Sequence, residues 1–476
     1  MRRFRLTVLS ASGALVLASF AAVGTPATVA ASVVAISPMV HALRTGLTSA
    51  PTEADCLALL AIPCYNPPQF QTAYNEGPLF AHGINGAGTT IVIVDAFGSP
   101  TIAADLATFD AQFALPAPPS LQIIAPAGAI PAWDPTNANG DVGWAGETTL
   151  DVEWAHAMAP GANILLVETP VDETEGAAGF PQIVQAENYV VRHHLGDVIS
   201  QSFGATEQSF ASASTLLSLR SAFTNAASHG VTVLAASGDN GAANYLDPAA
   251  TTLSTTATVG WPASDPLVTA VGGTQLSLDA AGNRLSPDVV WNDTYSATVQ
   301  PAFFGNAGPN PLATGGGLSS IFHRPEYQES VSSVVGSARG IPDVSMSAAC
   351  SGLVLTYESY PNDPANSGWQ LVCGTSEATP LFAGIVALAD QVAHHSLGLI
   401  NPALYELAAH HAPGLVDVTS GNNTVGFSQN ATNYTVTGYS AGPGYDLASG
   451  VGTINAALFV PELARAAGEP GRSGSN

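Results

Sequence analysis

The sequence predicts an α/β fold with a doubly wound, mainly parallel sheet flanked by helices. Short apolar runs typical of buried strands alternate along the chain with stretches of helical spacing. Two of these runs end at Asp95 and at Ser237-Gly238-Asp239, as strands do where they open into loops. The chain has 476 residues and only 10% charged residues, against about 25% in typical proteins, so it can bury a large core.

The elements follow one another in an alternating order. The predicted strands cover residues 90–94, 163–167, 197–200 and 231–236, and the predicted helices lie around 101–113, 146–158, 181–194 and 209–228. Residues 240–320 are rich in Gly, Pro, Ser and Thr and predict loops with short strands, and a last core helix begins near Ser376. Ligands of such sheets bind at the carboxyl ends of the strands, where Asp95 and Asp239 fall.

The two ends of the chain differ from its centre. Residues 1–31 have the basic, apolar and small-residue order of a secretory signal peptide; a retained anchor is the alternative, but serines and a glycine interrupt the short apolar run. We expect export to the extracellular space and no membrane contact of the mature chain. Residues 32–65 are predicted as a short lead-in without strong periodicity, 66–465 as the main domain, and 466–476 as a disordered tail.

The charge balance excludes one class of partner. The 11 basic residues are all arginines and face 36 acidic residues, a formal charge of −25. Such a surface makes nucleic acid an implausible partner, and we expect a monomer. Its self-repulsion falls near pH 3 to 4, where many carboxylates take up protons. An acidic surface that simply aids solubility is the alternative.

Four cysteines fit an exported protein. Cys56 and Cys64 can close a small loop, and Cys350 and Cys373 flank a predicted hairpin, so we expect a disulfide within each pair. No CxxC or paired Cys/His spacing supports zinc.

A candidate nucleophile lies at the start of the last core helix. Gly374-Thr375-Ser376 precedes an apolar helical run, and a serine at a helix start lies near the positive end of the helix dipole. An ordinary serine N-cap is the alternative. A nucleophilic serine also needs a base, and histidine finds no support. No His-Gly-Thr-His segment occurs, alanines flank His156, and the doublets at 193–194, 394–395 and 410–411 follow helical patterns that predict exposure.

A pair of carboxylates offers a different base. Glu147 and Asp151 are spaced i and i+4, which places them on one face of a helix. Two close carboxyls tend to share one proton, and one of them can then accept the serine proton at a pH where histidine is already charged. Taken alone, the pair also fits a solvated acidic helix face.

Several motifs together resemble the sedolisin (serine-carboxyl peptidase) family, which has a subtilisin-like fold. The resemblance covers roughly residues 66–460. Its motifs are Glu147-x-x-x-Asp151, Ala157-x-Ala159-Pro160-x-Ala162, Ser237-Gly238-Asp239-x-Gly241 and Gly374-Thr375-Ser376-x-Ala378-x-Pro380, with Pro262–Pro266, Ala270–Thr274, Gly315–Ser319 and Pro342–Ser345 between them.

The resemblance implies a secreted, acid-acting serine endopeptidase that cleaves proteins or peptides through an acyl-enzyme. It implies Ser376 as the nucleophile, Glu147 as general base and acid, and Asp151 as the carboxylate that orients Glu147. Asp239 is implied as the oxyanion-stabilising residue, a role that requires its protonated form because an ionised carboxylate cannot donate a hydrogen bond.

The resemblance also implies one structural Ca²⁺ near the C-terminus, in a calcium-binding loop region. Its ligands would be the Asp417 and Asp446 carboxylates and the carbonyl oxygens of Val418, Gly442 and Gly444, a set of hard oxygens that suits this ion. A Gly-rich turn with two solvated acids is the alternative.

The sequence departs from the family pattern at several points. The long folded propeptide that family members carry is not expected in residues 32–65. Cys373 replaces a common serine, Phe203 replaces a frequent tryptophan, and Glu377 adds a charge that either contacts the site or faces solvent. A catalytically silent peptide-binding pseudo-peptidase and a subtilisin-like enzyme with a neutral pH optimum are the two rival interpretations.

Overall fold

The four apolar runs predicted as strands lie in one mainly parallel sheet. A computed structural model of the chain describes residues 32–35, 41–137, 140–172, 179–247 and 250–468; the expected signal peptide and most of the expected tail lie outside this part. The helices are α1 (Glu53–Leu60), α2 (Pro67–Ala73), α3 (Gly77–Ala81), α4 (Ile102–Phe113), α5 (Asp141–Met158), α6 (Phe180–Arg192), α7 (Ala213–Leu217), α8 (Ser221–His229), α9 (Val299–Phe304), α10 (Ser332–Val335), α11 (Thr375–Ala393), α12 (Asn401–Ala409) and α13 (Ala456–Ala467).

The strands are β1 (Ser32–Ala35), β2 (His41–Leu47), β3 (Cys64–Tyr65), β4 (Thr90–Ala96), β5 (Leu121–Ile124), β6 (Asn163–Thr169), β7 (Val198–Gln201), β8 (Ala205–Thr206), β9 (Thr232–Ala236), β10 (Gly260–Trp261), β11 (Thr269–Gln275), β12 (Val289–Val290), β13 (Gly317–His323), β14 (Ala338–Ile341), β15 (Val344–Ser347), β16 (Leu353–Glu358), β17 (Gly368–Cys373), β18 (Leu415–Val416), β19 (Val425–Gln429), β20 (Thr432–Val436) and β21 (Thr453–Ile454). Short 3₁₀ helices span Glu207–Ser209 and Glu326–Val331.

The central sheet has the predicted doubly wound architecture. Its order is β5-β6-β4-β7-β9-β11, all paired in parallel; β15 adds a further parallel pairing to β11, and the short β12 pairs with β11 antiparallel. Successive side chains of β4 enter different cores, because Ile91 and Ile93 pack on the side of α5 and α11, whereas Val92 and Val94 pack on the side of α6 and α8. Helices therefore cover both faces, which explains the nearly continuous apolar runs of the sequence.

A second sheet contains the lead-in that showed no clear periodicity. Its order is β1-β2-β17-β16-β3, so β2 pairs antiparallel with β17, the strand that leads to Ser376. Ala42 and Leu43 of β2 are buried. The lead-in is thus part of the fold beside the predicted nucleophile.

The disulfides Cys56–Cys64 and Cys350–Cys373 are both present, which confirms the predicted pairing. Helix α13 extends to Ala467, so the first two residues of the expected tail are helical. Within the described residues, we find no helix with the length and apolar character needed to cross a bilayer.

Candidate active site

Two packed helices bring the predicted nucleophile and base together. Glu147 and Asp151 lie one turn apart on α5, and Ser376 is the second residue of α11, which packs against α5. All three side chains are fully buried. The chain turns from β17 into α11 at Gly374, whose φ of 132° side-chain-bearing residues rarely adopt.

The Ser376 hydroxyl and the Glu147 carboxyl are neighbours. Burial raises the pKa of Glu147 well above its usual range, Asp151 and Asp95 raise it further, and the contact with the Ser376 side chain lowers it. Ser376 Oγ donates a long hydrogen bond of 3.3 Å to the Ser202 carbonyl oxygen, and neither Glu147 oxygen has a well-formed hydrogen bond. Contacts between catalytic groups are often this loose before a substrate binds.

Asp151 is held in place by the hydroxyl of Ser202. Ser202 Oγ lies 2.9 Å from one oxygen of this carboxyl and 2.7 Å from the other. Burial raises the pKa of Asp151 well above its usual range, and Asp95 adds to this. Because charges on neighbouring buried carboxyls repel each other, the Glu147–Asp151 pair titrates as a unit that shares protons.

Asp95 adds a further carboxyl to this group. It is fully buried near the end of β4. Its pKa is raised to about 7, mainly by burial and in part by the charge of Glu168, although a hydrogen bond from Thr148 lowers it. The sequence placed Asp95 at a strand end, where ligands of such sheets bind, but assigned it no catalytic role. Its position at the shared carboxyl edge of the strands was the signal that this residue belongs to the site.

Asp239 lies at the start of α11 and has two differently placed oxygens. Its Oδ1 accepts hydrogen bonds from the Thr375 backbone N–H at 2.8 Å and from the Thr375 hydroxyl at 2.7 Å. Its Oδ2 lies 3.5 Å from His41 Nε2. Burial raises the pKa of Asp239 to about 7, although the bonds from Thr375 lower it.

The histidines are distributed as the sequence predicted, with one exception. The three doublets are exposed. His156 is buried, and its Nε2 lies 2.7 Å from the Pro116 carbonyl oxygen and 3.3 Å from an Asp110 carboxyl oxygen, so its contacts are not with Ser376. The exception is His41 of β2, which sequence reasoning missed because only its pairing partner β17 places it at the site. It contacts Asp239, the residue expected to stabilise the oxyanion.

The side chains of two further residues that depart from the family pattern, Glu377 and Phe203, are buried. Glu377 is fully buried, which excludes the solvent-facing alternative. Burial raises the pKa of Glu377 well above its usual range; the Ser347 side chain lowers this pKa, and the charge of Asp239 raises it. Phe203 is buried against Trp144 and Phe180, with ring centroids 6.2 and 6.4 Å apart, and so contributes to the core behind the site.

The predicted calcium-binding residues converge on one loop. Asp417 Oδ2 accepts a hydrogen bond from Gly444 N at 2.8 Å, and Asp446 Oδ2 accepts one from Gly442 N at 3.0 Å. Ser449 Oγ donates to Asp446 and to the Val418 carbonyl. No group of three or more acidic, histidine or cysteine side chains in the described part could hold a metal ion, so an ion here would depend on backbone carbonyls. Two carboxylates that meet at one carbonyl-rich loop fit Ca²⁺ chemically.

Known proteins resemble this chain over most of its length. Kumamolisin from Bacillus sp. (strain MN-32) is 32% identical over 404 residues, which are 82% of this chain and 62% of that protein. Sedolisin from Pseudomonas sp. (strain 101) is 32% identical over 404 residues, 83% of this chain and 60% of that protein. Tripeptidyl-peptidase 1 from Homo sapiens is 31% identical over 334 residues, 67% of this chain and 51% of that protein. The chain thus spans about three fifths of the first two relatives.

A solved structure and a family model indicate the same family as these relatives do. A solved structure of Pseudomonas sedolisin (serine-carboxyl proteinase) complexed with two molecules of pseudo-iodotyrostatin superposes with a TM-score of 0.67 at 29% identity, covering 86% of this chain and all of that one. The model of the Subtilase family matches residues 127–440. The chain therefore belongs to the subtilase family and, within it, to the sedolisin (serine-carboxyl peptidase) group that its motifs resemble.

Proposed function

We propose that this chain is an acid-acting serine-carboxyl peptidase that hydrolyses peptide bonds in proteins or peptides. The observation that carries the proposal is the juxtaposition of the Ser376 hydroxyl with the buried carboxyls of Glu147, Asp151 and Asp95, with Asp239 at the start of the same helix. The similarity to Pseudomonas sedolisin, described as a serine-carboxyl proteinase, supports the same chemistry.

The geometry supports a two-step acyl transfer. When the proton shared by the pair lies on Asp151 and Glu147 is ionised, Ser376 Oγ attacks the peptide carbonyl carbon while its proton passes to Glu147, and the carbonyl oxygen becomes an oxyanion. Glu147 then gives this proton to the leaving amine as the C–N bond breaks, which leaves an acyl-enzyme. Water, deprotonated by Glu147, hydrolyses the ester and restores the serine. Asp151, fixed by Ser202, orients Glu147 and shares its protons.

Asp239 would stabilise the oxyanion through its protonated carboxyl. Since Oδ1 already accepts two hydrogen bonds from Thr375, Oδ2 is the oxygen that can carry the proton and donate it. The pKa of about 7 keeps Asp239 neutral in acid, and ionisation above this value removes the donor. Activity is therefore expected to disappear towards alkaline pH.

We further propose that the enzyme is secreted, acts as an endopeptidase and binds one structural Ca²⁺. The resemblance of the sequence motifs to the serine-carboxyl peptidases implies internal cleavage, whereas tripeptidyl-peptidase 1, which matches 67% of this chain, removes tripeptides by its name. The calcium would be held by Asp417, Asp446 and the nearby carbonyls, and it would stabilise the loop without entering the reaction.

Peptide hydrolysis across pH 2 to 8 tests the proposal. The wild-type chain should cleave an internally quenched peptide in acid, and Ser376→Ala and Glu147→Gln should each lose at least about 10³-fold in kcat/KM. The exposed Glu326→Gln serves as the matched control and should retain full activity. Wild-type activity in Glu147→Gln, or peptide binding without any cleavage by the wild type, would refute the proposed mechanism. Mass spectrometry of the products separates internal from tripeptide cleavage.

A further inference from the structure

A disulfide lies directly before the predicted nucleophile. Cys373 is the last residue of β17 and is bonded to Cys350, and both residues are fully buried. Only Gly374 and Thr375 separate this bridge from Ser376. Because Cys373 stands where the sedolisin family commonly has serine, the family pattern does not explain the bridge.

The bridge supports the chain where the sheet ends. The antiparallel pairing of β17 with β16 ends at Val372, so Cys373 has no partner residue on β16. The disulfide supplies a link on that side, and the N–H of Gly374 donates a hydrogen bond of 2.9 Å to the Ala348 carbonyl oxygen. Residues 348–350 are thus the neighbours of the chain beyond β17.

Residues 348–350 are themselves fixed. The N–H of Ala348 donates to the Thr274 carbonyl oxygen of β11 at 3.0 Å. The next residue after the cysteine is Ser351, whose N–H donates to Oδ2 of the buried Asp293 at 3.0 Å. The bridge therefore joins the approach to the nucleophile to a segment that is anchored to the central sheet.

The segment between the bridge and the nucleophile contains a flexible residue. Gly374 has a φ of 132°, and glycine has access to more backbone conformations than any other residue. Directly after it, Thr375 donates its N–H and its hydroxyl to Asp239 Oδ1, and its Oγ1 accepts the N–H of Gly238 at 3.2 Å. Rotation at Gly374 would therefore displace the partner of Asp239 together with the nucleophile that follows.

We propose that the Cys350–Cys373 disulfide positions the active site by holding Gly374 and Thr375 in place. It acts through Thr375, which fixes Oδ1 of Asp239 so that Oδ2 can face an oxyanion. The bridge thereby supports the transition state more than it supports substrate binding. The inference rests on the proposed function for its kinetic meaning, whereas the restraint on residues 374 and 375 is a property of the fold.

Loss of the bridge should also change the titration of Asp239. Its pKa is raised to about 7, mainly by burial, although the hydrogen bonds from Thr375 lower it. When these bonds weaken, the pKa rises further, so the alkaline fall in kcat moves to higher pH. In the described part of the chain, the titratable groups that interact with Asp239 are His41 on β2, Glu147 on α5 and Glu377 on α11. Removal of the bridge leaves all three side chains in the protein.

Kinetics of paired cysteine variants from pH 3 to 9 test the proposal. Cys350→Ala/Cys373→Ala removes the bridge, and Cys350→Val/Cys373→Ala removes it while restoring part of the lost volume. Well below their unfolding temperatures, both should show a kcat about 10- to 100-fold below wild type, with KM changed less than about twofold. Their alkaline fall in kcat should lie above the wild-type value of about 7. The matched control is Cys56→Ala/Cys64→Ala, which removes the other buried disulfide and should keep the wild-type kcat and pH profile.

Hydrogen exchange provides a measurement that needs no activity. In a Ser376→Ala background, the amides of residues 374 and 375 should lose about tenfold in protection when the bridge is removed. The amides of residues 381–388, inside α11, should keep their protection, and the control pair should leave all of these amides unchanged. This result stands even if the wild-type chain cleaves no peptide, an outcome that would refute only the proposed function.

Several outcomes would overturn the proposal. One is a wild-type kcat and pH profile in both bridge variants, and another is an equal change in the control pair, which would reflect the general loss of a disulfide. Unchanged protection of residues 374 and 375 would overturn it independently of the kinetics. Failure of both bridge variants to fold, while the control pair folds, would show that the bridge maintains the whole fold, and this also contradicts a role confined to the site.

Discussion

At the scale of single residues, the two oxygens of Asp239 have separate tasks. Oδ1 is fixed by Thr375, and Oδ2 is the candidate proton donor. Asparagine can reproduce this division, because its carbonyl can accept from Thr375 while its NH₂ group takes the place of Oδ2 and donates at every pH. For Asp239→Asn we expect about a tenfold lower kcat in acid, since an amide is a weaker donor. The fall in kcat near pH 7 that the ionisation of Asp239 causes in the wild type should be absent from this variant.

The measurement is kcat and KM of each variant from pH 3 to 8. Asp239→Ala, which has no donor, should lose about 10²- to 10³-fold in kcat in acid with little change in KM, and this loss should become smaller above pH 7, where wild-type Asp239 has itself lost its proton. A decline near pH 7 that is identical in wild type and Asp239→Asn would show that another group controls it, and the oxyanion role would then lose its support.

At the scale of helices and strands, a feature could be predicted when the residues that form it lie close together along the chain. The i, i+4 spacing of Glu147 and Asp151 lies within one helix, and the strand ends at Asp95 and Asp239 follow from local apolar runs, so short windows sufficed. The pairing of β2 with β17 joins segments more than 300 residues apart, and nothing in the window around His41 indicates its partner. Tertiary pairing of this kind, like the burial of Glu377, is settled by the whole fold.

The loop of residues 442–446 yields a prediction about calcium. Removal of Ca²⁺ with EGTA at pH 7 should lower the unfolding temperature by several degrees, because an ion at 100 times its Kd stabilises the native state by about 2.7 kcal/mol. The double variant Asp417→Asn/Asp446→Asn should unfold at this lower temperature with or without EGTA. Glu326→Gln should respond as the wild type does. A wild-type unfolding temperature unchanged by EGTA and by added Ca²⁺ would contradict the site.

At the scale of the whole molecule, protonated carboxyls are spread through the interior. Burial raises the pKa of acids outside the proposed catalytic group as well as within it; these are Glu76, Glu153, Glu187 and Asp390. An acid with a raised pKa in the folded state holds its proton after the unfolded chain has lost it. Stability is therefore full in acid and falls as the pH rises above the normal carboxyl pKa, the opposite of proteins stabilised by ionised carboxylates. The excess of 36 acidic over 11 basic residues adds surface repulsion in the same pH range.

Glu187 on α6 allows this property to be tested away from the active site. Its carboxyl is buried without a hydrogen-bond partner, and burial raises its pKa from 4.5 to about 8. Between these values each pH unit costs about 1.4 kcal/mol of stability, because the native state must keep a proton that the unfolded chain has released. We expect Glu187→Gln, which is neutral at every pH, to raise the unfolding temperature at pH 8 by several degrees and to leave it nearly unchanged at pH 4. The exposed Glu326→Gln should show no such pH dependence. An equal effect of Glu187→Gln at pH 4 and pH 8 would mean that its carboxyl does not stay protonated in the fold, and the acid-dependent stability would need another origin.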